Sequence, residues 1–357
     1  MINFSAPVNR GGYGVVATNL AKAFDLLGAN VALFPIGPLD GDQENVPMLQ
    51  KMLERSRFYN THAPSLKLWH GWELASHPTR GTRSAATFFE VESLSHVEVY
   101  QLSQMTRVFA FGEWAMGVML RSGVTAPITS IHCGVDRSIF ADCPLPDSGP
   151  TTFVNAGKWE IRKGHDILPT AFRRAFKPGE DVRLLMLCDN PFLTQKESRE
   201  WEKNYIENIG TQVNIVPRQA TQADVAKVFA SAHCGVFPSR GEGWNMEAME
   251  LLSMGRHIIA TKCSAHTDYL DSENSTLIDV RSKEFAYDGK WFFGQAKWSA
   301  VDDQAIDEIA ASMRLVHELR KSGQLGLNTK GVQTTERLSW EKSAKKILDA
   351  LEVPYGV

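Results

Sequence analysis

No stretch of this chain approaches the ~18 consecutive apolar residues that crossing a bilayer requires. Its opening, MINFSAPVNRGGYG, also lacks a basic segment followed by an apolar one, so no secretion leader is expected. Cysteine is scarce. Only Cys133, Cys143, Cys188, Cys234 and Cys263 occur in 357 residues, an odd count with no C-x-x-C pair. That pattern argues against a disulfide framework or a zinc knuckle and fits a reducing compartment. A surplus of positive charge is missing too: 38 Lys and Arg face 41 Asp and Glu, for a net charge of −3. Nucleic acid is therefore not the expected main partner, although a local basic face is compatible with the balance. There is no repeat of fixed period and no low-complexity tract. The expectation is a soluble, cytoplasmic protein without a transmembrane segment, with surface association left open.

What is present fits a globular protein. Hydrophobic residues make up 43% and charged residues 22%, enough to bury a sizeable core. At about 150 residues per domain, the length suggests two domains. Short apolar runs alternate with amphipathic ones. A strand-like Ile2 to Phe4 precedes Gly11, Gly12 and Gly14, and then VVATNLAKAFDLLG has helical spacing and a closing Gly28. VALFPIG, LKLWHGWE, RSAATFFEVE, TRVFAFG and ITSIHCGVD read as further strand ends. Residues 141–150, ADCPLPDSGP, form the best linker candidate. A second series follows: TTFVNAG, a helix over HDILPTAFRRAF with an internal Pro169, VRLLMLCD, VNIVPRQ, ADVAKVFASA, CGVFPS, NMEAMELLSMG and HIIATK. The rhythm predicts two doubly wound parallel α/β units, which bind ligands at the carboxyl ends of their strands.

The densest stretch is FPSRGEGWNMEAMELLSMGRHIIAT, residues 237–261. A strand ends near Pro238, a turn holds Gly241 and Gly243, and a helix begins near Asn245. Backbone N–H groups at such a helix start favour phosphate. Glu242 and Glu250 are eight residues apart, ~12 Å along the axis if all eight were helical. That span suits two hydroxyl-bearing groups on either side of a diphosphate, since carboxylates accept from sugar hydroxyls. An acidic turn followed by a surface helix would look the same for two glutamates alone.

Taken whole, the stretch resembles the E-x7-E signature of retaining nucleotide-sugar glycosyltransferases of the GT-B fold, the family 4 group in particular. Gly243 and Trp244 stand where that family has a Gly-aromatic turn, and Glu250 to Gly255 then His257 to Ala260 where it has a helix and strand. A second match is Gly157-Lys158-Trp159-Glu160-Ile161-Arg162-Lys163-Gly164, similar to the family's G-R-x4-K-G. Lys163 matches the lysine, Lys158 stands where Arg is usual, and Arg162 is an alternative cation. Two cations there can neutralise a departing nucleoside diphosphate, although Lys lacks the fork of Arg. Asn9 to Gly14 resembles the first loop, where Gly12, Tyr13 and Gly14 would meet the donor. Glycine there permits φ > 0 and close backbone approach. The same loop half-matches a dinucleotide fingerprint, but Pro35-Ile36-Gly37-Pro38 offers no ribose-binding acid, so no NAD is expected. Ile131 to Asp136 and Leu338-Ser339-Trp340-Glu341 resemble two further family segments.

The resemblance implies a GT-B fold, two Rossmann-like domains with parallel sheets and an interdomain cleft. Residues 1–143 would bind acceptor, residues 144–335 would bind donor, and residues 336–357 would form a helix returning to the first domain. It implies retaining transfer of a sugar from a nucleoside-diphosphate sugar to an acceptor hydroxyl. Glu250 would hold the ribose and Glu242 the transferred sugar. Lys158, Lys163 and the amides near Asn245 and Met246 would hold the diphosphate. Arg218 would lie near the base. No cofactor, metal or protein nucleophile is expected. Asp40-Gly41-Asp42 spells D-x-D but reads as a turn. The acceptor side matches poorly: Glu90 stands near the family's usual His, with Glu92 close by, and His70 is a second polar candidate. Trp244 occupies the aromatic position of the donor turn. Rival readings are another GT-B enzyme, a nucleotide-sugar binding module without turnover, and a glycosyltransferase acting on modified DNA bases.

Overall fold

A computed structural model describes residues 1–356. The chain divides into two compact units, Met1–Asp136 with Leu338–Val357, and Arg137–Arg337.

The first unit runs β1 (Ile2–Ala6), α1 (Gly12–Leu26), β2 (Val31–Pro35), α2 (Val46–Ser56), β3 (Ser65–Leu68), β4 (Arg83–Thr87), α3 (His96–Ser103), β5 (Arg107–Phe111), α4 (Glu113–Ser122) and β6 (Ile128–Ile131). All six strands are parallel, in the order β2-β1-β3-β4-β5-β6. Every residue of β1 is buried, as a strand covered on both faces must be. Local chemistry sets the helix ends. Ser95 and Glu98 form a capping box on α3, and Gly123 closes α4 at φ 95°.

The second unit continues with β7 (Thr151–Gly157), α5 (Leu168–Ala175), β8 (Val182–Cys188), α6 (Gln195–Ile209), β9 (Val213–Ile215), α7 (Gln222–Ala230), β10 (Cys234–Phe237), α8 (Met246–Ser253), β11 (His257–Thr261), β12 (Thr276–Ile278), β13 (Ser282–Tyr287), β14 (Phe293–Ala300), α9 (Asp303–Lys321) and α10 (Thr329–Arg337). Six parallel strands are ordered β12-β11-β10-β7-β8-β9. The core packs Phe153, Leu168, Phe172, Leu184 and Tyr205 against Ile309 and Met313 of α9. The helix expected over HDILPTAFRRAF begins only at Leu168, so Pro169 sits in its first turn, where a missing N–H costs no helical bond. The antiparallel pair β13–β14 has no counterpart in the expected β-α series.

The chain then returns to the first unit. Helix α11 (Trp340–Ala350) packs on α1. Gly134 makes this possible, because a β-carbon there would stand 2.3 Å from the Trp340 nitrogen. The Ile131 to Asp136 segment is thus a packing element, and His132 N donates to Ser343 Oγ. Among the described residues, no helix is long and apolar enough to cross a membrane.

Each sheet has one point where its winding reverses. In the first unit it lies between β1 and β3, and in the second between β7 and β10. The carboxyl ends at these reversals are Ala6 and Leu68, and Gly157 and Phe237. In doubly wound sheets, ligands bind outside the carboxyl ends of the strands at such reversals.

Candidate functional site

Two glycines shape the turn that leaves β7. Gly157 has φ +134°, and a β-carbon on it would stand 2.8 Å from Lys163 Cε. Gly164 has φ +74°, and a β-carbon there would stand 2.2 Å from the Pro238 oxygen. No other residue allows both the left-handed backbone and that approach. The turn therefore folds back across the end of β10, with Lys163 lying over Gly157.

This brings five charged side chains into one network. Arg162 donates to Glu160 Oε2 at 2.6 Å through Nη2 and to Glu242 Oε2 at 2.9 Å through Nη1. It also donates to the Gly241 oxygen at 2.7 Å. Lys163 Nζ donates to Glu242 Oε1 at 3.1 Å. Lys158 pairs with Glu160 at 3.1 Å and is the exposed member, with its side chain 46% accessible. Arg162 is thus enclosed between two glutamates, and the role of alternative phosphate cation does not fit it. Lys163 is enclosed to the same degree, with Glu242 and Glu247 as its partners, so of the three cations Lys158 is the exposed one. His165 braces the network from behind. Its Nε2 faces Asn155 Oδ1 at 2.8 Å and its Nδ1 accepts from Glu160 N. Burial, with the nearby Lys163 charge, holds its pKa down at about 3, so it stays neutral.

Glu242 is gripped on both oxygens, since Ser239 Oγ also donates to Oε1 at 2.8 Å. Burial alone would push its carboxyl up, but Lys163 and Arg162 outweigh burial and hold it below the usual carboxylate range. The Glu242 N–H donates to Ser264 Oγ at 2.7 Å. Lys163 is buried as well. That would lower its pKa, but Glu242 and Glu247 raise it instead.

Helix α8 starts from an unusual backbone. Asn245 has φ 74° and caps the helix by accepting from Ala248 N at 3.2 Å. Its amide nitrogen meets His266 Nε2 at 2.8 Å, while His266 Nδ1 meets the Thr261 oxygen at 2.8 Å. A carbonyl only accepts, so Nδ1 carries the proton and Nε2 accepts from Asn245. Because Glu242 lies before the helix, only part of the interval to Glu250 is helical, and the ~12 Å span for a continuous helix does not apply. Trp244 is 3% exposed. It stacks on Tyr269 at 5.1 Å and donates to Met249 Sδ. Its ring therefore backs the turn, and a sugar-facing role does not fit it. Gly243 is buried beside it, and Met246 opens the helix.

Glu250 is the opposite of Glu242. It is 6% exposed, and no hydrogen bond or ion pair reaches its carboxylate among the described residues. Burial, reinforced by Glu247, raises its pKa well above the ordinary value. Neither Glu250 oxygen is among the fully enclosed side-chain atoms that lack a partner, so the carboxylate keeps an open edge from a largely buried position. Hydroxyls arriving there would find an unused acceptor. Arg218 stands apart from this group, half-exposed and 3.7 Å from Asp189.

The first unit has its own cluster at the β1/β3 reversal. Tyr13 packs on Trp69, His70 and Phe88 at 5.7, 5.0 and 5.3 Å. Its hydroxyl accepts from Phe88 N at 3.0 Å and meets Thr87 Oγ1. His70 stacks on the exposed Trp72 at 4.4 Å. Burial raises the Tyr13 pKa, and Glu90 adds to this, which places Glu90 within electrostatic reach. Tyr13 thus joins an aromatic cluster rather than presenting a free phenol. None of Gly11, Gly12 and Gly14 has positive φ, contrary to one expectation. Gly14 is required for approach instead: a β-carbon would stand 2.1 Å from the Asn9 oxygen, whereas one on Gly12 would meet nothing. Asp40 pairs with Arg10 at 3.7 Å in an exposed loop.

Four residues that support the Glu242 turn carry no signal in the expected pattern. Ser264 and His266 come from the loop after β11, where the sequence departs from the family, and Tyr269 donates to the Trp244 and Asn245 oxygens. Arg240 makes a bidentate pair with Asp166 and reaches Glu284 at 2.9 Å. The positive φ of Ser264, 46°, could not be read from a serine.

Residues 150–288, within the second unit, match the family model described as Glycosyl transferases group 1. No curated protein matches the chain in sequence. Solved structures do. The chain is similar to sucrose-phosphate synthase from Thermosynechococcus elongatus, with a TM-score of 0.71 at 16% identity over 98% of both chains. It is similar to HepE from Anabaena in complex with UDP and glucose, with a TM-score of 0.70 at 15% identity over 98% of this chain and 99% of that one. A glycosyltransferase from Rickettsia africae gives a TM-score of 0.69 at 12% identity, over 98% and 97%. At such identities the likeness is one of fold, and the fold is GT-B, α/β with two six-stranded parallel sheets.

Proposed function

We propose that this protein is a retaining glycosyltransferase that moves a sugar from a nucleoside-diphosphate sugar to an acceptor hydroxyl. The observation that carries the reading is the unequal state of two glutamates around one helix start. Glu242 is ionised and clamped by cations, while Glu250 is buried with its oxygens unused. The group 1 family match over the same residues supports it.

Glu250 accepts from the ribose hydroxyls, and Arg218 lies toward the base. Glu242 orients the transferred sugar. Lys158, Lys163 and the amino end of α8 stabilise the charge that grows on the leaving diphosphate. The bond between the anomeric carbon and the phosphate oxygen breaks, and a bond from that carbon to the acceptor oxygen forms on the same face. The acceptor proton passes to the leaving phosphate oxygen. No protein nucleophile and no metal takes part. On the acceptor side, Glu90 orients the hydroxyl, with His70 beside it. The proposed compartment is the cytoplasm, on the scarcity and spacing of cysteine.

The test is turnover of UDP-, GDP-, ADP- and dTDP-sugars, with and without a chelator, with the anomeric configuration of the product read by NMR. HepE holds UDP, so UDP-sugars come first. Release of one nucleoside diphosphate that persists in chelator, with retained configuration, supports the proposal. Inversion, loss of turnover in chelator, or binding without turnover would each overturn a stated part.

A further inference from the structure

Five Lys and Arg residues are buried. Arg162, Lys163 and Arg240 each face an acid, and Arg256 donates to the Pro144 oxygen at 3.1 Å. Lys67, in β3 and 7% exposed, has neither a hydrogen bond nor an ion pair among the described residues. Its neighbour across the strands is Ser5 of β1, which is 6% exposed and equally without a side-chain partner. Neither Lys67 Nζ nor Ser5 Oγ is among the fully enclosed atoms that lack a partner, so each keeps an open edge.

The two residues stand one position before Ala6 and Leu68, the ends of β1 and β3, where the winding of the first sheet reverses. Side chains two apart along a strand share a face. Lys67 therefore shares its face with Trp69, whose N–H continues the ladder to the Ala86 oxygen. Trp69 packs on Tyr13 and His70, so Lys67 lies beside the cluster proposed for the acceptor.

The charge around Lys67 leaves its ammonium unmatched. Burial lowers its pKa, with Glu73 pulling the other way, yet no ion pair joins the two. Glu73 is exposed, and its Oε2 accepts from Trp69 Nε1 at 2.8 Å. Burial, with Lys67 and Arg83 behind it, holds His77 down at about 4, so that ring is neutral. A buried ammonium without a counter-charge is costly until an anion supplies one. A neutral sugar would account for the rings and for Ser5 but not for the lysine.

We propose that Ser5 and Lys67 form a subsite for an oxyanion, a carboxylate or a phosphate ester carried by the acceptor. The subsite is read from the first unit alone, and its assignment to the acceptor rests on the glycosyltransferase reading.

The test is calorimetric titration of the full-length protein with glucose 6-phosphate, glucuronate and glucose, which differ in the anionic group. Wild type should bind an anionic sugar about tenfold or more tightly than glucose, and the preferred one identifies the group. Lys67→Gln should remove that preference, Lys67→Arg should retain it, and Lys158→Ala should leave it in place. Wild type that binds none of the three, or all three alike, would overturn the proposal. So would a preference that survives in folded Lys67→Gln, or one that Lys158→Ala removes, since the anion would then sit at the donor turn. The wild-type and Lys158→Ala arms do not depend on the folding of a β3 variant. Failure of the donor reading looks different: no nucleoside diphosphate binds, while the Lys67-dependent preference persists. Nucleotide binding without that preference overturns this inference alone.

Discussion

Lys163 Nζ lies 3.1 Å from Glu242 Oε1, and both side chains are almost wholly withdrawn from solvent. The lysine is expected at the diphosphate and the glutamate at the sugar, yet each holds the other in place. Arg162 and Glu160 extend the arrangement, so every buried charge in the turn has a counter-charge. A diphosphate arriving here would share Lys163 with Glu242 rather than meet a bare cation.

That sharing gives the first prediction a sign. Glu242→Gln removes the competitor for Lys163 while keeping the shape. Turnover should fall on the order of 10²–10³-fold, whereas free nucleoside diphosphate should bind as tightly as to wild type or more tightly. The variant should also lose about 3 kcal/mol of stability, because two buried cations lose part of their pairing. Steady-state kinetics, calorimetric titration and chemical denaturation separate the three effects. Equal loss of turnover and diphosphate binding would count against the assigned role.

Glu250→Gln should behave differently. The wild-type carboxyl has a raised pKa in the folded state, so its contribution to stability is fully present below the ordinary glutamate value and is lost as pH rises through the raised one. Glu242 and Glu160 have depressed values and run the other way, losing their contribution as pH falls below the ordinary value. Replacing Glu250 by neutral Gln should therefore stabilise the unliganded protein at alkaline pH, by about 1–3 kcal/mol, with little effect in acid. The same change should weaken nucleotide binding about tenfold or more, since a charged acceptor is lost. Thermal melts across pH check the first half, and titration checks the second.

The alternation of apolar runs made the two parallel sheets legible, and the motifs around Lys158, Lys163 and Glu242 pointed to residues that the fold brings together. What could not be read is how those charges are divided. Nothing in the sequence distinguishes Lys163, folded over Gly157, from Arg162, which is held between Glu160 and Glu242. The decision rests on Gly164 docking on Pro238, a contact between residues 74 apart in the chain. Trp244 looks like a ligand aromatic until Tyr269 is seen stacked on it. Ser264 and His266 fall where the pattern breaks, so they carry no motif. The β13–β14 pair goes unread because its exposed rings and lysines follow neither period cleanly.

Asn245 combines a cap with left-handed backbone, so substitutions there should rank in a fixed order. Asn245→Gly keeps the backbone but loses the cap, a few tenths of a kcal/mol, and, like alanine, the buried bond to His266, about 1–3 kcal/mol. Asn245→Ala loses the cap, about 1 kcal/mol, and forces a β-carbon into left-handed geometry, about 1 kcal/mol more. Denaturation midpoints should fall in the order wild type, Gly, Ala. Alanine as stable as glycine would contradict the geometry.

The N-terminal glycines offer a paired comparison. Gly12→Ala should be tolerated, because the added carbon meets nothing within 4 Å. Gly14→Ala should displace the Asn9 loop and lower both stability and turnover, because its carbon would stand 2.1 Å from a backbone oxygen. Activity and melting temperature of the two variants measure the difference.

The central claim, that the β7/β10 crevice binds a nucleoside-diphosphate sugar, is tested most directly by calorimetric titration of UDP, GDP, ADP and dTDP. The titration is run against wild type, Lys158→Ala and Glu250→Gln. The account predicts one preferred nucleotide on wild type and weaker binding of it by each variant, through phosphate in the first and ribose in the second. Binding by none of the four, or binding that neither substitution alters, would contradict it.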